Sequence, residues 1–247
     1  MSDLAIATRD LSKSFGGFRA VDGVDLAVRR RSRHAVIGPN GAGKSTLFNL
    51  LTGGIAATAG VVEILGVDVT GKPPFAIARH GVARAFQTTK IFSAFTVLEN
   101  IQFALLSGRR RNRRMLGSAH KEARAEAGAL LSEVGLHHRE DEPAGVLSHG
   151  DQRSLELAIS LALSPSVLIL DEPTAGMSPE ETRLAMELVR RITEDRQITL
   201  LFSEHDMDVV FETADVVTVM AEGKVLAEGS VDEVRRDPQV SEVYFGG

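Results

Sequence analysis

His34-Ala35-Val36-Ile37-Gly38-Pro39-Asn40-Gly41-Ala42-Gly43-Lys44-Ser45-Thr46 is the stretch on which the reading of this chain turns. Its first part is a short apolar run that ends in glycine, and the spacing from about residue 44 to residue 51 predicts a helix. A buried strand, a tight loop and a helix form the opening unit of an α/β domain. From Gly38 to Ser45 the pattern is Gly-x-x-x-x-Gly-Lys-Ser, the spacing of a phosphate-binding P-loop. The glycines let successive backbone N–H groups curl around phosphate oxygens, at the positive end of the helix that follows. Lys44 is then the point charge for the terminal phosphates, and the Ser45 hydroxyl is placed to ligate Mg2+. A glycine turn that merely caps a helix needs neither this lysine nor the strand before it.

The second half of the chain supplies a complement. Val167-Leu168-Ile169-Leu170 is an apolar strand running into Asp171-Glu172. A buried strand holds its terminal carboxylate rigidly, which suits Asp171 to metal positioning and leaves Glu172 to activate the attacking water. By themselves adjacent acids after a strand are common helix caps; the P-loop is what gives these two a task. His205 follows another predicted core strand, residues 198–202, at the end where α/β proteins place ligand-facing groups. It is a candidate for contact with a terminal phosphate or the attacking water. Gln87 ends residues 82–87, and the residues alone assign it nothing.

Around these motifs the chain reads as one α/β core with a helical segment in its middle. Residues 4–8 and 24–28 alternate apolar and polar positions, with turn signals at Gly16-Gly17 and Asp22-Gly23. From about 91 to 164 the character is helical, with Ala123, Ala127, Leu130, Leu131 and Val134 at helical spacing before Gly135. Leu184, Leu188 and Ile192 mark one face of a later helix, and residues 215–220 and 224–228 close the chain as a strand pair around Glu222-Gly223. Lys plus Arg total 28 against 33 Asp plus Glu, a formal charge of −5, which argues against a dedicated nucleic-acid binder. Cysteine is absent, so disulfides, thiolate zinc sites and cysteine nucleophiles are excluded. The longest apolar candidate, residues 157–170, is interrupted by Ser160, Ser164, Pro165 and Ser166 and is too short to span a bilayer. Met1-Ser2-Asp3-Leu4 lacks the basic and apolar blocks of a secretory signal, so a cytoplasmic protein, peripheral to any membrane it serves, is expected.

Leu147-Ser148-His149-Gly150-Asp151-Gln152 precedes a helix and by itself reads as a serine N-cap with an acid in the first turn. Taken with the other motifs, it resembles the signature of ATP-binding cassette (ABC) ATPases, usually Leu-Ser-Gly-Gly-Gln. The P-loop, Gln87, this signature, Asp171-Glu172 and His205 stand in that family's order, and the resemblance extends from about Leu4 to Gly247. It implies a P-loop NTPase fold: a RecA-like α/β core, an N-terminal antiparallel β subdomain and an inserted helical subdomain. Residues 4–247 would form a single ATPase domain, with about 4–90 and 165–247 as catalytic core and about 91–164 as the helical part.

The same resemblance implies site roles and partners. Phe15 matches the aromatic that stacks on adenine, with Phe18 as second candidate. Gly38, Pro39, Asn40, Gly41, Ala42, Gly43, Lys44, Ser45 and Thr46 match the Walker A loop, and Gln87 the Q-loop glutamine, a metal ligand. Asp171 and Glu172 match the Walker B pair, Ala175-Gly176-Met177-Ser178 the D-loop, and His205 the switch histidine. Ser148 and Gly150 would contact nucleotide held by a second cassette. Two positions depart from the pattern: His149 replaces the first signature glycine, and Ser178 replaces the usual D-loop aspartate. ATP and Mg2+ are the implied cofactors. The implied partners are integral permease subunits, a second ATPase subunit and a periplasmic or extracellular substrate-binding protein, with no nucleic acid. Residues 15–24, 86–92, 204–211 and 228–238 are most similar to the first ATPase of branched-chain amino-acid importers. Urea importers and lipopolysaccharide exporters carry similar ATPases. Repair ATPases insert long coiled coils between P-loop and signature, and the stretch from Lys44 to Leu147 is too short and lacks heptads. Translation-type proteins carry two cassettes, and a simple kinase has no use for residues 147–152. The run Arg109-Arg110-Arg111-Asn112-Arg113-Arg114 reads as a solvated loop, with attraction to anionic lipid headgroups as the alternative.

Overall fold

The computed structural model describes residues 3–85, 91–108 and 116–245. Gln87 and the arginine run 109–114 therefore lie outside the described residues. Strands β1 (Leu4–Phe15) and β2 (Phe18–Val24) form a hairpin, and β3 (Ala27–Arg29) pairs with the start of β1. Next, β4 (Arg33–Ile37) leads through the glycine loop into α1 (Lys44–Leu51), which spans the residues that the spacing predicts. The chain returns to the first sheet in β5 (Ala59–Ile64) and β6 (Val67–Asp68), then makes α2 (Pro74–Ala78) and β7 (Val82–Ala85). Helices α3 (Val97–Gly108), α4 (Leu116–Glu133) and α5 (His149–Leu161) follow. Strand and helix then alternate: β8 (Val167–Asp171), α6 (Pro179–Asp195), β9 (Thr199–Ser203), α7 (Met207–Thr213) and β10 (Val216–Ala221). The last elements are β11 (Lys224–Gly229), α8 (Val231–Arg236) and α9 (Pro238–Phe245).

The first sheet is antiparallel, ordered β2-β1-β5-β6 with β3 beside β1; the second has six strands ordered β11-β10-β4-β9-β8-β7. From β10 to β7 every neighbour is parallel, and only β11 runs antiparallel to its partner. Parallel strands buried on both faces need apolar residues at every position, and here alternate residues feed two separate cores. Leu168 and Leu170 of β8 join one core, while Val167 and Ile169 join the other. In β9, Leu200 and Phe202 oppose Leu201 in the same way. Ile101, Leu131, Leu155 and Met186 from α3 to α6 close the first core. Leu47 and Phe48 of α1, with Ile6, Val28 and Ile64 of the antiparallel sheet, close the second. The functional loops therefore emerge at one edge of a sheet clamped on both sides. Among the described residues no helix is long and apolar enough to cross a membrane.

Two expectations need correcting. The strand expected over residues 24–28 is broken at Asp25 and Leu26. There the buried Thr8 hydroxyl donates to Val24 O at 2.8 Å and accepts from Leu26 N–H at 2.9 Å, taking the place of ladder bonds. In α6 the buried side is Thr182, Met186, Val189, Ile192 and Thr193, whereas Leu184 is 53% exposed. The threonines escape an apolar count, yet Thr193 Oγ1 donates to Val189 O at 2.8 Å, so its hydroxyl is satisfied within the helix and can be buried.

His34, at the start of the strand that leads to the glycine loop, is also buried. Its Nε2 donates to Thr218 Oγ1 at 2.7 Å, and that hydroxyl donates to Glu228 Oε2 at 2.7 Å. Burial pushes the imidazole from 6.5 down to about 4. The unfolded chain thus takes up a proton at higher pH than the folded one. The stability His34 confers is full above pH 6.5 and is lost as pH falls toward about 4. The gap is worth about 3 kcal/mol. The urea midpoint is expected to fall across that window, and His34→Gln is expected to flatten the fall. A variant that tracks the parental curve would show that His34 is not the acid-sensitive group.

Candidate active site

The glycine loop is shaped by close backbone approaches. A Cβ on Gly38 would lie 2.3 Å from Met220 O of β10, and one on Gly43 would lie 2.3 Å from Ala20 O of β2. Gly43 also sits at φ 103°, outside the comfortable range of other residues. Gly223 N–H donates to Ala42 O at 3.0 Å, and Asp22 N–H donates to Gly223 O at 2.9 Å. These bonds tie the loop to the β10–β11 turn and that turn to the first sheet. Pro39, Asn40 and Gly41 are exposed at the loop's crest, while Ser45 and Thr46 are half-buried in the first turn of α1. Lys44 is buried; its Nζ donates to Gly38 O at 2.6 Å and Pro39 O at 3.2 Å. Burial holds this amine below its ordinary lysine value, against the opposing pull of Glu172 and Asp171.

Asp171 ends β8 directly opposite this loop. Its Oδ1 lies 3.5 Å from Ser45 Oγ and accepts from Ser203 Oγ at 3.0 Å, while Oδ2 accepts from Arg84 Nη2 at 2.9 Å. The β8–β9 register pairs Asp171 with Ser203, so the two strands deliver acid and hydroxyl together. Arg84 also donates to Asn49 Oδ1 at 2.8 Å and to Thr52 Oγ1 at 3.0 Å, joining β7 to the far end of α1. Sequence reasoning passed over Arg84. The signal available was a lone charge inside the apolar run Val82-Ala83-Arg84-Ala85. The hydroxyl of Ser45 and the carboxylate of Asp171 are hard oxygen donors, a set that fits Mg2+.

Glu172 turns the chain away from the strand at φ 51°, with its N–H donating to Ser203 O and Ser203 Oγ, each at 3.2 Å. That turn carries its carboxylate to His205, whose Nε2 donates to Glu172 Oε1 at 2.8 Å. Both side chains are partly open to solvent, as groups that meet a substrate must be. Glu204, beside His205, is buried. Burial pushes its carboxyl above the usual carboxylate range, and hydrogen bonds from Thr174 pull it back.

The remaining predicted residues stand apart from this cluster. Ser148 is the N-cap of α5, its Oγ accepting from Asp151 N–H at 3.2 Å and donating to Asp151 Oδ2 at 2.8 Å. Among the described residues no hydrogen bond links Ser148 or Gly150 to the glycine loop. Phe15 and Phe18 pair across the β1–β2 hairpin and are 51% and 64% exposed, with Lys13 Nζ 5.0 Å from the Phe15 ring centre. Ser178 is the N-cap of α6 in a capping box: its N–H donates to Glu181 Oε2 at 2.8 Å, and Glu181 N–H donates back to Ser178 Oγ at 3.4 Å.

A phosphate loop facing a strand-end aspartate, with a glutamate–histidine pair beside it, defines a nucleotide-hydrolysing P-loop protein. Residues 21–175 match the ABC transporter family, and residues 224–247 match a family described as branched-chain amino acid ATP-binding cassette transporter. The high-affinity branched-chain amino acid transport ATP-binding protein BraF of Pseudomonas aeruginosa is 37% identical over 255 residues, covering 100% of this chain and 99% of BraF. The corresponding ATP-binding protein LivG of Salmonella typhimurium is 38% identical over 254 residues, covering 100% and 99%. The crystal structure of the ADP conformation of an ATP-binding cassette of an ABC transporter is 32% identical, covers 100% of both chains and superposes with a TM-score of 0.87. The chain belongs to the ABC transporter family, as one of its ATP-hydrolysing cassettes. The expected architecture, an α/β P-loop core with an antiparallel sheet and inserted helices, is the one observed.

Arg84→Ala leaves the 4% exposed Asp171 carboxylate without its ion-pair partner. Unfolding in urea is expected to show a loss of about 3–5 kcal/mol, partly recovered by adding Asp171→Asn. A loss below about 1 kcal/mol would mean that this pair contributes little to holding the site.

Proposed function

We propose that this chain is the ATP-binding and hydrolysing subunit that energises a membrane importer of branched-chain amino acids or a similar small polar solute. The observation that carries the chemistry is the placement of Ser45 Oγ 3.5 Å from Asp171 Oδ1, beside the buried Lys44. In this reading the backbone of residues 38–46 wraps the phosphates, Lys44 neutralises the terminal ones and Phe15 stacks on adenine. Ser45 and Asp171, with Gln87, would hold Mg2+. When bound, Mg2+ supplies further neutralisation of phosphate charge. Glu172 takes a proton from the attacking water, and His205, held against Glu172 at 2.8 Å, reaches toward the terminal phosphate.

The names of BraF and LivG support the transport role, and the formal charge of −5 supports protein rather than nucleic-acid partners. The subunit works at the inner face of the membrane, against permease subunits and with a periplasmic or extracellular binding protein supplying the solute. Residues 4–247 act as one cassette, its helical part spanning about 91–164. A second cassette completes the site. A side chain at Gly150 would meet nothing within 4 Å, so the space above the start of α5 is open to nucleotide held by a facing subunit. The α5 N-terminus there offers backbone N–H groups to phosphate.

Lys44→Ala is expected to lower nucleotide affinity, remove ATP turnover and abolish cellular uptake of labelled leucine. Parental turnover in that variant would refute the site. Glu172→Gln is expected to bind ATP without hydrolysing it, so that sedimentation with ATP and Mg2+ shows accumulated dimers. Adding Ser148→Arg should abolish those dimers and spare nucleotide binding to the single subunit. Dimers that persist would place the signature outside the interface.

A further inference from the structure

We propose that Glu204 is a positioning residue for hydrolysis: its buried carboxylate clasps together the two loops that carry Glu172 and His205. The proposal rests on the roles given above to those two residues and adds the element that fixes their spacing. Glu204 is 5% exposed, the first residue beyond β9. One oxygen, Oε1, accepts from Thr174 N–H at 2.9 Å and from Thr174 Oγ1 at 2.8 Å; the other, Oε2, accepts from its neighbour's His205 N–H at 3.3 Å. Thr174 lies two residues beyond Glu172, in a turn closed by Ala175 N–H donating to Glu172 O at 3.2 Å. The carboxylate therefore grips the Glu172 turn with one oxygen and the His205 backbone with the other.

Glu172 N–H also donates to Ser203 O and Ser203 Oγ at the end of β9, and the Glu204 carboxylate adds a buried grip that reaches both Thr174 in the Glu172 turn and the His205 N–H. The Glu172–His205 contact itself lies at the surface, its members 37% and 49% exposed. Such a contact, between side chains with rotamer freedom, is weak unless its backbones are fixed. Burying a carboxylate is costly, and its placement is tolerated here because three donors converge on it. It touches neither the glycine loop nor Asp171 among its hydrogen bonds. The clasp therefore acts on the step after nucleotide is bound: it sets where the water-activating carboxylate and the histidine stand relative to each other. A displacement of about 1 Å at such a pair costs on the order of 100-fold in rate.

The test uses the full chain in four variants: Glu204→Ala, Glu204→Gln, Thr174→Val and the Thr174→Val/Glu204→Ala pair. Steady-state ATPase measurements give kcat and KM, and a fluorescent ATP analogue in EDTA gives nucleotide affinity. Glu204→Ala is expected to lower kcat by about 100-fold with KM and analogue affinity within about twofold of parental. Glu204→Gln keeps an oxygen for Thr174 but turns an amide N–H2 toward His205 N–H, so its kcat should fall between parental and Glu204→Ala. Thr174→Val should lower kcat in the same direction, and the pair should be no worse than Glu204→Ala, because both break one clasp. Parental kcat in Glu204→Ala, or additive losses in the pair, would overturn the proposal. Equal losses of kcat and analogue binding would also overturn it, since they signal general damage to the fold. Should Glu204→Ala not fold, Glu204→Gln and Thr174→Val carry the same kcat and KM comparison. Glu172→Gln serves as reference: if it hydrolyses ATP at the parental rate, the reading of the site falls, and Glu204 with it. If Glu172→Gln is inactive while Glu204→Ala is not, only the clasp is wrong.

Discussion

A carboxylate buried at the end of a fully buried strand is the constraint around which this molecule is arranged. Asp171 cannot sit where it does as an isolated charge, because transfer of an unpaired ion from water costs far more than a domain's net stability margin. Its partners come from everywhere the sheet can supply them: Arg84 from β7, Ser203 from β9 and Ser45 from α1. Those bonds decide which elements must be adjacent. The order β9-β8-β7 puts a hydroxyl and a guanidinium on either side of the acid: the parallel register sets Ser203 level with Asp171, while Arg84, level with Ile169, reaches the acid with its long side chain. Arg84 then reaches on to Asn49 and Thr52, which fixes the helix whose opposite end holds the phosphate loop.

The glycine loop answers a second constraint, the proximity of backbone to backbone. It is pressed between Met220 O on one side and Ala20 O on the other, with Gly223 bonded to both the loop and β2's Asp22. The antiparallel sheet is thus more than a cover for the second core. It braces the loop and presents Phe15 and Phe18 at the tip of its own hairpin. Because Lys44 spends its Nζ hydrogen bonds on Gly38 O and Pro39 O, the loop keeps its curled form through its own lysine.

Much of this was legible in the residues. The P-loop spacing gives the start of α1, and five consecutive apolar or acidic positions ending in Asp171 read as a buried strand with its acid at the functional edge. What was not legible shares a physical cause. Arg84 and Glu204 are charges, and a charge in a sequence reads as surface until its partner is known; both partners come from distant segments, Asp171 and Thr174. Thr8 and Thr193 were passed over because hydropathy counts a hydroxyl as polar, whereas a hydroxyl that bonds nearby backbone can be buried. The α6 face follows from that: Leu184, on the face marked by Leu188 and Ile192, is 53% exposed, whereas Thr182 and Thr193 are buried.

The two departures from the family's motifs meet in space. Ser178 stands where an aspartate is usual, and it keeps the local duty of such a residue, since serine and aspartate are equally good N-caps and Glu181 completes the box. What changes is the charge, one negative group fewer on the loop between β8 and α6. His149 stands where a glycine is usual, at the first helical position of α5, where no unusual backbone angle demands a glycine. Its Nε2 lies 3.9 Å from the position a Gly176 Cβ would take, on that same loop. A loop with one acid fewer than the family pattern thus has an imidazole for a neighbour. The two departures therefore lie side by side at the junction of α5 and α6. The capping hydroxyls of Ser148 and Ser178, on which the starts of both helices depend, are left in place.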